Sequence, residues 1–260
     1  MMKQKYLSYL FSITAIIMII FAIGCFKEQE EPIEIKIEEK INQDIKNSDV
    51  AIEEIGTEYI GGKYNLTLIN TKYSLNNRTS TVKKIQYFKD GELINPDQIL
   101  PDNMRSSLDW LKSNTPEDTI IMAWWDYGNI IRAYAEREPV LDAPSKEILV
   151  TTVSKHLGKS PEEIDCPNCA SHNIIQDVSR LLLSRNSSKP IEIIKKYSAD
   201  YLYIHIDDES KSAVFYITLN EEPKPISSTI LEKAIGEENI DGFELVYSDE
   251  VARIYRSINP

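Results

Sequence analysis

Long apolar segments are scarce in this chain. One runs from Leu7 to Ile23, and nothing after it reaches the roughly 20 mostly apolar residues that a membrane-spanning helix needs. The sequence also lacks a glycine-rich phosphate loop, a serine in a nucleophile elbow and paired histidines suited to a hydrolase. These absences argue against a multi-span membrane enzyme, a phosphate-loop enzyme and a hydrolase.

Positive charge is also in short supply. The 260 residues include 29 lysines and arginines against 41 aspartates and glutamates, which gives a formal net charge of −12. Such a balance disfavours binding to nucleic acid or to an anionic membrane surface. We therefore expect no nucleic-acid partner, and a uniformly acidic surface is most simply a solubility feature.

The first 25 residues have the pattern of a targeting segment. Two lysines precede the apolar core, and a small residue, Gly24, precedes Cys25. This order resembles a lipoprotein cleavage site and predicts that Cys25 is lipidated. The alternative is an uncleaved signal anchor with its basic end inside. Both interpretations attach the chain to the cell membrane and place residues 26–260 on the extracellular face.

Changes in composition divide the rest of the chain. Residues 26–50 are charge-dense and poor in aromatics, which is typical of a tether. Residues 51–100 are rich in β-forming residues with glycine-containing turns, which predicts a small antiparallel sheet. Residues 101–260 alternate between helical and strand patterns. The predicted fold class is α/β, with a helix-flanked mixed sheet, a small preceding β-rich region and an N-terminal membrane anchor.

Hydrophobic periodicity gives a coarse assignment within residues 101–260. The predicted elements are a helix at 103–112, a strand at 119–123, helices around 174–182 and at 190–196, strands at 201–206 and 214–219, and a closing hairpin at 243–247 and 251–255.

The pentapeptide Trp124-Trp125-Asp126-Tyr127-Gly128 lies between the strand at 119–123 and a predicted helix. Ligand sites of open α/β sheets usually lie at such strand ends. Indole N–H groups only donate hydrogen bonds and an ionised aspartate only accepts them, so together they can satisfy a hydroxyl. The alternative is structural, with the aromatic rings packed in the core and Asp126 capping the following helix.

This pentapeptide resembles the signature of the catalytic subunit of asparagine-linked oligosaccharyltransferases. The resemblance implies that Trp124, Trp125 and Asp126, with the adjoining Tyr127, recognise the serine or threonine of an Asn-x-Ser/Thr acceptor sequon. It maps residues 101–260 onto the soluble C-terminal domain of that family. The family's large catalytic membrane half has no counterpart in this polypeptide, so we expect no catalysis by this chain alone.

A second family motif, an aspartate with a lysine three residues later, is assigned to Asp177 and Arg180, with arginine in place of lysine, and the resemblance implies that these two residues also bind the sequon. Ser184 then stands where the family has an apolar residue. The resemblance implies an accessory module that binds sequon-containing polypeptides, beside a glycosylation enzyme. The alternative is an envelope structural protein that keeps the motif only as scaffold.

Cysteine and histidine cluster in one short stretch. Cys166 and Cys169 have the Cys-x-x-Cys spacing, with His172 after them and His156 before them. Two thiolates and two imidazoles on a tight turn suit a structural zinc ion. Outside the cytoplasm the two cysteines can instead form a disulfide. The sequence leaves both possibilities open, and a third is that the two cysteines are ordinary thiols.

Three acceptor sequons occur in the chain itself, at Asn65, Asn77 and Asn186. They predict glycosylation of at least one of these asparagines in an extracellular protein. A run of three acids, Asp207 to Glu209, favours a solvated turn over a calcium site.

Overall fold

The structure is a computed structural model. It describes residues 51–75, 78–94, 99–151, 160–164, 166 and 168–258. The predictions for the membrane anchor, Cys25 and the tether lie outside these residues. In the described ranges, no helix combines the length and the apolar character required to cross a membrane.

The described residues form two compact units. The first contains Ala51–Gly61 and residues 65–100 and is an antiparallel sheet in the order β1-β2-β3-β4, with β5 paired to β3. Its strands are β1 (Ala51–Gly61), β2 (Leu66–Leu75), β3 (Arg78–Lys89), β4 (Glu92–Ile94) and β5 (Ile99–Leu100). The predicted small antiparallel sheet is confirmed.

The second unit contains Gly62–Tyr64 and the described residues from Pro101 onward, and it is built on a mixed sheet in the order β7-β6-β8-β10-β9. Strand β6 runs parallel to β7 and β8, whereas β10 runs antiparallel to β8 and β9. The strands are β6 (Ile120–Met122), β7 (Glu138–Pro139), β8 (Tyr201–His205), β9 (Phe243–Ser248) and β10 (Ala252–Ser257).

Seven α-helices are described in this unit. They are α1 (Arg105–Asn114), α2 (Trp125–Ile130), α3 (Lys146–Leu149), α4 (His172–Leu183), α5 (Ser188–Lys196), α6 (Ser212–Thr218) and α7 (Ile230–Ile235). Short 3₁₀ turns lie at Asp102–Met104, Pro161–Glu163 and Ile206–Asp208, and a π turn at Ile131–Ala135 continues α2.

Helices cover both faces of the mixed sheet. The hydroxyl of Tyr203 lies 3.0 Å from that of Ser107 on α1. The hydroxyl of Tyr255 donates to the carbonyl of Glu238, just after α7, at 3.3 Å. Tyr203 pairs with Ile254, the neighbour of Tyr255, so the two tyrosines point to opposite faces. The predicted helix-flanked mixed sheet is confirmed.

One predicted element has the wrong type. Residues 214–219 are not a strand, because Ser212–Thr218 forms helix α6. Phe215 on this helix is fully buried, whereas Ile217 is exposed. The segment therefore has an inner and an outer side, as an amphipathic helix does.

Candidate functional site

The pentapeptide lies where strand β6 gives way to helix α2. Trp124 is the N-cap residue of α2, with an extended backbone, and no side-chain hydrogen bond caps this helix. The capping alternative for Asp126 is therefore wrong. Trp124 is buried, and its ring lies 4.6 Å from that of Phe215 on α6. Trp125 is half-buried, so the two tryptophans differ in their access to solvent.

Asp126 pairs with a lysine, Lys211, that no sequence pattern marked as a site residue. The Oδ2 atom of Asp126 lies 2.9 Å from Nζ of Lys211, the residue before α6. The same Nζ donates to the hydroxyl of Tyr127 at 2.6 Å and to Oδ1 of Asp208 at 3.3 Å. These contacts use all three N–H donors of the ammonium group. Lys211 thereby joins the motif to the 3₁₀ turn after β8.

Asp208 is the second carboxylate of this cluster and is only 1% exposed. It accepts hydrogen bonds from the Tyr127 hydroxyl at 3.0 Å and from the backbone N–H of His205 at 3.1 Å, in addition to Lys211. The expectation of a solvated turn at Asp207 to Glu209 is therefore wrong for Asp208. It holds for its two neighbours, which are exposed.

Burial and charge set the protonation states of the cluster. Burial raises the pKa of Asp208, and the charge of Lys211 opposes this shift only in part. Burial would lower the pKa of Lys211, but Asp126 and Asp208 raise it above its ordinary value, so the lysine stays charged. Burial, followed by the charges of Asp208 and Asp126, raises the pKa of Tyr127 well above its usual range, so its hydroxyl remains a donor.

Asp126 and Asp208 have four carboxylate oxygens between them. Among the described residues, only Oδ1 of Asp126 has no hydrogen-bond partner. It is buried, although the side chain as a whole is 25% exposed. A buried acceptor without a partner costs about 1–3 kcal/mol. The arrangement can relieve this cost by accepting a hydrogen bond from a hydroxyl or an N–H group of a ligand.

The glycine of the pentapeptide has a packing role. A Cβ atom at Gly128 would lie 2.0 Å from the carbonyl oxygen of Leu141 and 2.5 Å from Cα of Asp142. Both are backbone atoms that cannot rotate away. Only glycine therefore lets helix α2 approach the segment after β7 this closely.

The residues assigned to the second family motif lie on another part of the unit. Asp177 on α4 accepts from Arg180 at 2.9 Å, from Lys196 at 2.6 Å and from the Tyr197 hydroxyl at 2.9 Å. Within the described part of the chain, no recorded contact joins this group to Asp126. Asp177 and Arg180 thus form their own cluster between α4 and α5.

Asp208 and Lys211 have the same spacing as the second motif, an aspartate with a lysine three residues later, without a substitution. On this register the apolar position moves from Ser184 to Phe215, four residues after the lysine, and Phe215 contacts Trp124. The intact lysine and the apolar residue were the sequence signals that favoured this segment over Asp177 and Arg180.

The cysteine pair forms a disulfide between Cys166 and Cys169. Disulfide sulfurs are not thiolate ligands, so the predicted four-ligand zinc site is not formed in this state. His172 is engaged elsewhere, with its Nδ1 atom 2.8 Å from the Ser145 hydroxyl oxygen. His156 lies outside the described residues. No group of three or more His, Cys, Asp or Glu side chains in the described ranges is placed to hold a metal ion.

The sequon asparagines fall in different settings. Asn65 is exposed in a turn before β2, with φ at 48°, and its side-chain oxygen accepts from the Tyr59 hydroxyl at 3.2 Å. Asn186 is exposed between α4 and α5. Its side-chain oxygen accepts from the hydroxyl of Ser188, the serine of its own sequon, at 2.8 Å. Asn77 lies outside the described residues.

No family model matches the chain. The chain is 39% identical over 74 residues to a dolichyl-diphosphooligosaccharide–protein glycosyltransferase subunit, stt3, of Schizosaccharomyces pombe, covering 28% of this chain and 10% of that protein. It is 26% identical over 138 residues to the dolichyl-phosphooligosaccharide-protein glycotransferase of Methanocaldococcus jannaschii, covering 46% of this chain and 15% of that protein. The matches thus span a small part of these relatives.

Solved structures that match include the C-terminal globular domain of an oligosaccharyltransferase from Archaeoglobus fulgidus. The TM-score is 0.43 and the identity 16%, over 61% of this chain and 98% of that one. An oligosaccharyltransferase of the same organism, solved in complex with Zn and sulfate, matches with a TM-score of 0.41 and 13% identity over 58% of this chain and 26% of that one. The assignment of the family resemblance depends on the sequence relatives. They confirm the resemblance to the oligosaccharyltransferase family that the Trp-Trp-Asp-Tyr-Gly motif predicts.

Proposed function

We propose that this chain is an accessory module that recognises Asn-x-Ser/Thr acceptor segments in protein N-glycosylation. The observation that carries the proposal is the buried Oδ1 atom of Asp126, which has no hydrogen-bond partner among the described residues. A serine or threonine hydroxyl supplies the donor that this atom lacks. The names of the sequence relatives, which are protein glycosyltransferases, give the class of acceptor.

The surroundings of Asp126 suit this role. Lys211 holds the other carboxylate oxygen at 2.9 Å in a charge-assisted contact. The lysine has no spare N–H, so the ligand hydroxyl meets Asp126 itself. Trp125 is half-buried and its ring contacts that of Trp124, which is buried against Phe215 in the core. In this proposal the site residues are Trp125, Asp126 and Lys211, with Tyr127 and Asp208 holding the lysine.

We propose no catalysis by this chain alone. The matched segments span 10% and 15% of the two relatives, so most of what those proteins contain is not covered by the match. Transfer of a glycan would then need a glycosylation enzyme on another chain, with this module presenting or retaining the acceptor. The competing function is an envelope structural protein. The burial of Trp124 against Phe215 favours it, since that contact is explained by packing alone.

Two peptides decide between these functions. The full chain is titrated with labelled peptides that contain Asn-Val-Thr or Asn-Val-Val, which differ in one hydroxyl. Because the valine leaves Asp126 without a donor, we expect the threonine peptide to bind about tenfold or more tightly. Affinity for both is expected to be weak, since short peptides lose conformational freedom on binding. Equal binding, or no binding of either peptide, supports the structural protein.

Attachment and modification are a separate part of the proposal. We propose that Cys25 is lipidated, that the domain lies on the extracellular face of the cell membrane, and that Asn65, Asn77 or Asn186 carries glycan in the native host. Mass analysis of the mature N-terminus tests the anchor, and a modified Cys25 with loss of residues 1–24 is expected. An intact Met1 in the membrane fraction indicates a signal anchor instead. Glycopeptide mapping that finds all three asparagines unmodified removes the glycosylation proposal.

A further inference from the structure

A groove of about 250 Å³ lies between helices α3, α4 and α6. Its apolar wall consists of Ile148 on α3 and of Val214 and Ile217 on α6. Ile217 is 41% exposed, which makes it one of the few large apolar side chains of the described second unit that face solvent. An exposed apolar side chain at the rim of a groove is a common feature of a binding site.

The polar part of the groove contains a carboxylate, that of Glu147. Glu147 lines it with a side chain that is 61% exposed, and the amide side chains of Gln176 and Asn220 lie in the same lining. His172 also lines it, with Nδ1 3.6 Å from Glu147 and bonded to Ser145. No lysine or arginine is among the described lining residues. The groove therefore offers an apolar wall and a carboxylate, which suits a side chain with an apolar stem and a cationic end.

Helix α6 links the groove to the Asp126 site. Lys211, which holds Asp126, immediately precedes this helix, and Val214 follows one helical turn later. One turn advances the chain by about 5.4 Å. In an extended peptide the same distance is covered by about two residues. A peptide whose hydroxyl meets Asp126 and whose chain runs along α6 would thus bring the side chain one or two positions away to the groove.

We propose that the groove binds a lysine or arginine located one or two positions after the serine or threonine of the acceptor segment. This proposal rests on the function proposed for Asp126. The hydroxyl side of the sequon is assigned to the groove because the asparagine, on the other side, has to remain accessible to the enzyme that modifies it. The chain would then select among acceptor sequons by the charge of the residue that follows them.

The test is a titration of the full chain with four labelled peptides. They contain Asn-Val-Thr-Lys, Asn-Val-Thr-Glu, Asn-Val-Val-Lys and Asn-Val-Val-Glu. The lysine peptide of the threonine pair is expected to bind about fivefold more tightly than the glutamate peptide, as for one partly exposed ion pair. Glu147→Gln should remove most of this preference and Glu147→Lys should reverse it. Unchanged melting temperatures show that both variants are folded.

Glu192→Lys is the matched control. Glu192 on α5 has a similarly exposed side chain, at 67%, and does not line the groove. Because the chain has a net charge of −12, any basic peptide gains some attraction, and this variant changes that charge by the same amount as Glu147→Lys. The proposal predicts that Glu192→Lys leaves the lysine preference intact. If both variants weaken the lysine preference equally, the preference comes from diffuse attraction to the acidic chain, and the proposed binding in the groove is overturned.

The valine peptides separate the two proposals. If the lysine preference persists but threonine and valine peptides bind equally, binding of the basic side chain in the groove is supported and recognition of the hydroxyl by Asp126 is overturned. If threonine is preferred over valine but lysine and glutamate peptides bind equally, the groove is overturned and the proposed function stands. If none of the four peptides binds, both proposals are overturned.

Discussion

Two aspartates of this domain each lie near a basic residue three positions along the chain, and their surroundings differ. Asp208 and Lys211 are both buried, at 1% and 7% exposed, and their partners include the buried Tyr127 hydroxyl. Asp177 is held by Arg180 and Lys196, whose side chains are 43% and 57% exposed. The first pair is therefore enclosed together with Asp126, whereas in the second a buried aspartate is held by exposed basic side chains and joins two helices.

The difference in burial reverses the direction of the pKa shift. Burial raises the pKa of Asp208, and Lys211 does not fully offset it. For Asp177, burial is outweighed by hydrogen bonds from Lys196, Tyr197 and Arg180, which lower its pKa below the ordinary value of 3.8. The same spacing in sequence thus gives an aspartate with a raised pKa in one place and an aspartate with a lowered pKa in the other.

Removal of the lysine should have the largest effect. Lys211→Met leaves two carboxylates next to each other with no cation, one of them fully buried. We expect a loss of about 3–5 kcal/mol in the free energy of unfolding, measured by urea titration. Lys196→Met is the matched control, because this side chain reaches Asp177 from solvent, and little measurable change is expected. Similar losses for both variants would contradict the distinction between the two clusters.

The close approach of helix α2 should have the next largest effect. Gly128→Ala places a methyl group against backbone atoms of Leu141 and Asp142, so we expect a loss of about 1–3 kcal/mol in stability. Gly236→Ala is the control, since its nearest neighbour would be the Glu232 carbonyl at an ordinary 3.4 Å and its φ is −77°. There stability should stay the same or rise by up to about 1 kcal/mol. A tolerated Gly128→Ala would show that this helix can shift.

Acid should affect the two aspartates in opposite ways. The pKa of Asp177 is lowered in the folded state, so its contribution to stability is present above pH 3.8 and is lost as the pH falls. The pKa of Asp208 is raised, so the folded state holds that proton more tightly and gains stability as the pH falls through this window. Between about pH 7 and about pH 3, Asp177→Asn should therefore flatten the acid-induced loss of stability and Asp208→Asn should steepen it. Changes of the same sign in both variants would contradict these assignments.

The sequence predicted much of this fold from local patterns. Strands such as β8 and the hairpin of β9 and β10 were predicted because their apolar runs are bounded by polar turns. Helix α6 was misassigned because Val-Phe-Tyr-Ile-Thr is a short apolar run of β-forming residues, whose type periodicity cannot settle. Its helical form depends on tertiary contacts, including that of Phe215 with Trp124.

The candidate site was only half predicted from the sequence. The Trp-Trp-Asp-Tyr-Gly motif was found because it is improbable and lies at a strand end. The contact of Lys211 with Asp126 was not predicted, since two segments have an acid and a base at the same spacing and their burial cannot be read from composition. Three consecutive acids indicate a solvated turn, yet Asp208 is enclosed by Tyr127, Lys211 and the backbone of His205.

The cysteine pair should show the smallest effect. Because Cys166 and Cys169 form a disulfide, the oxidised chain should bind no zinc, and a chelator should leave its melting temperature unchanged. Thiol titration and metal analysis of the purified chain test this together. A result of about one equivalent of zinc with two reactive thiols would support the zinc site predicted at His156, Cys166, Cys169 and His172.

The central claim is that Asp126, and not Asp177, accepts a hydrogen bond from the serine or threonine hydroxyl of the acceptor segment. The most direct measurement is the ratio of affinities for Asn-Val-Thr and Asn-Val-Val peptides in the wild type, Asp126→Asn and Asp177→Asn, each shown to be folded. The account predicts that the wild type and Asp177→Asn share the same preference for threonine, and that Asp126→Asn reduces the ratio towards one, because an amide replaces the carboxylate acceptor. An unchanged ratio in Asp126→Asn, or an equal loss in Asp177→Asn, would contradict it.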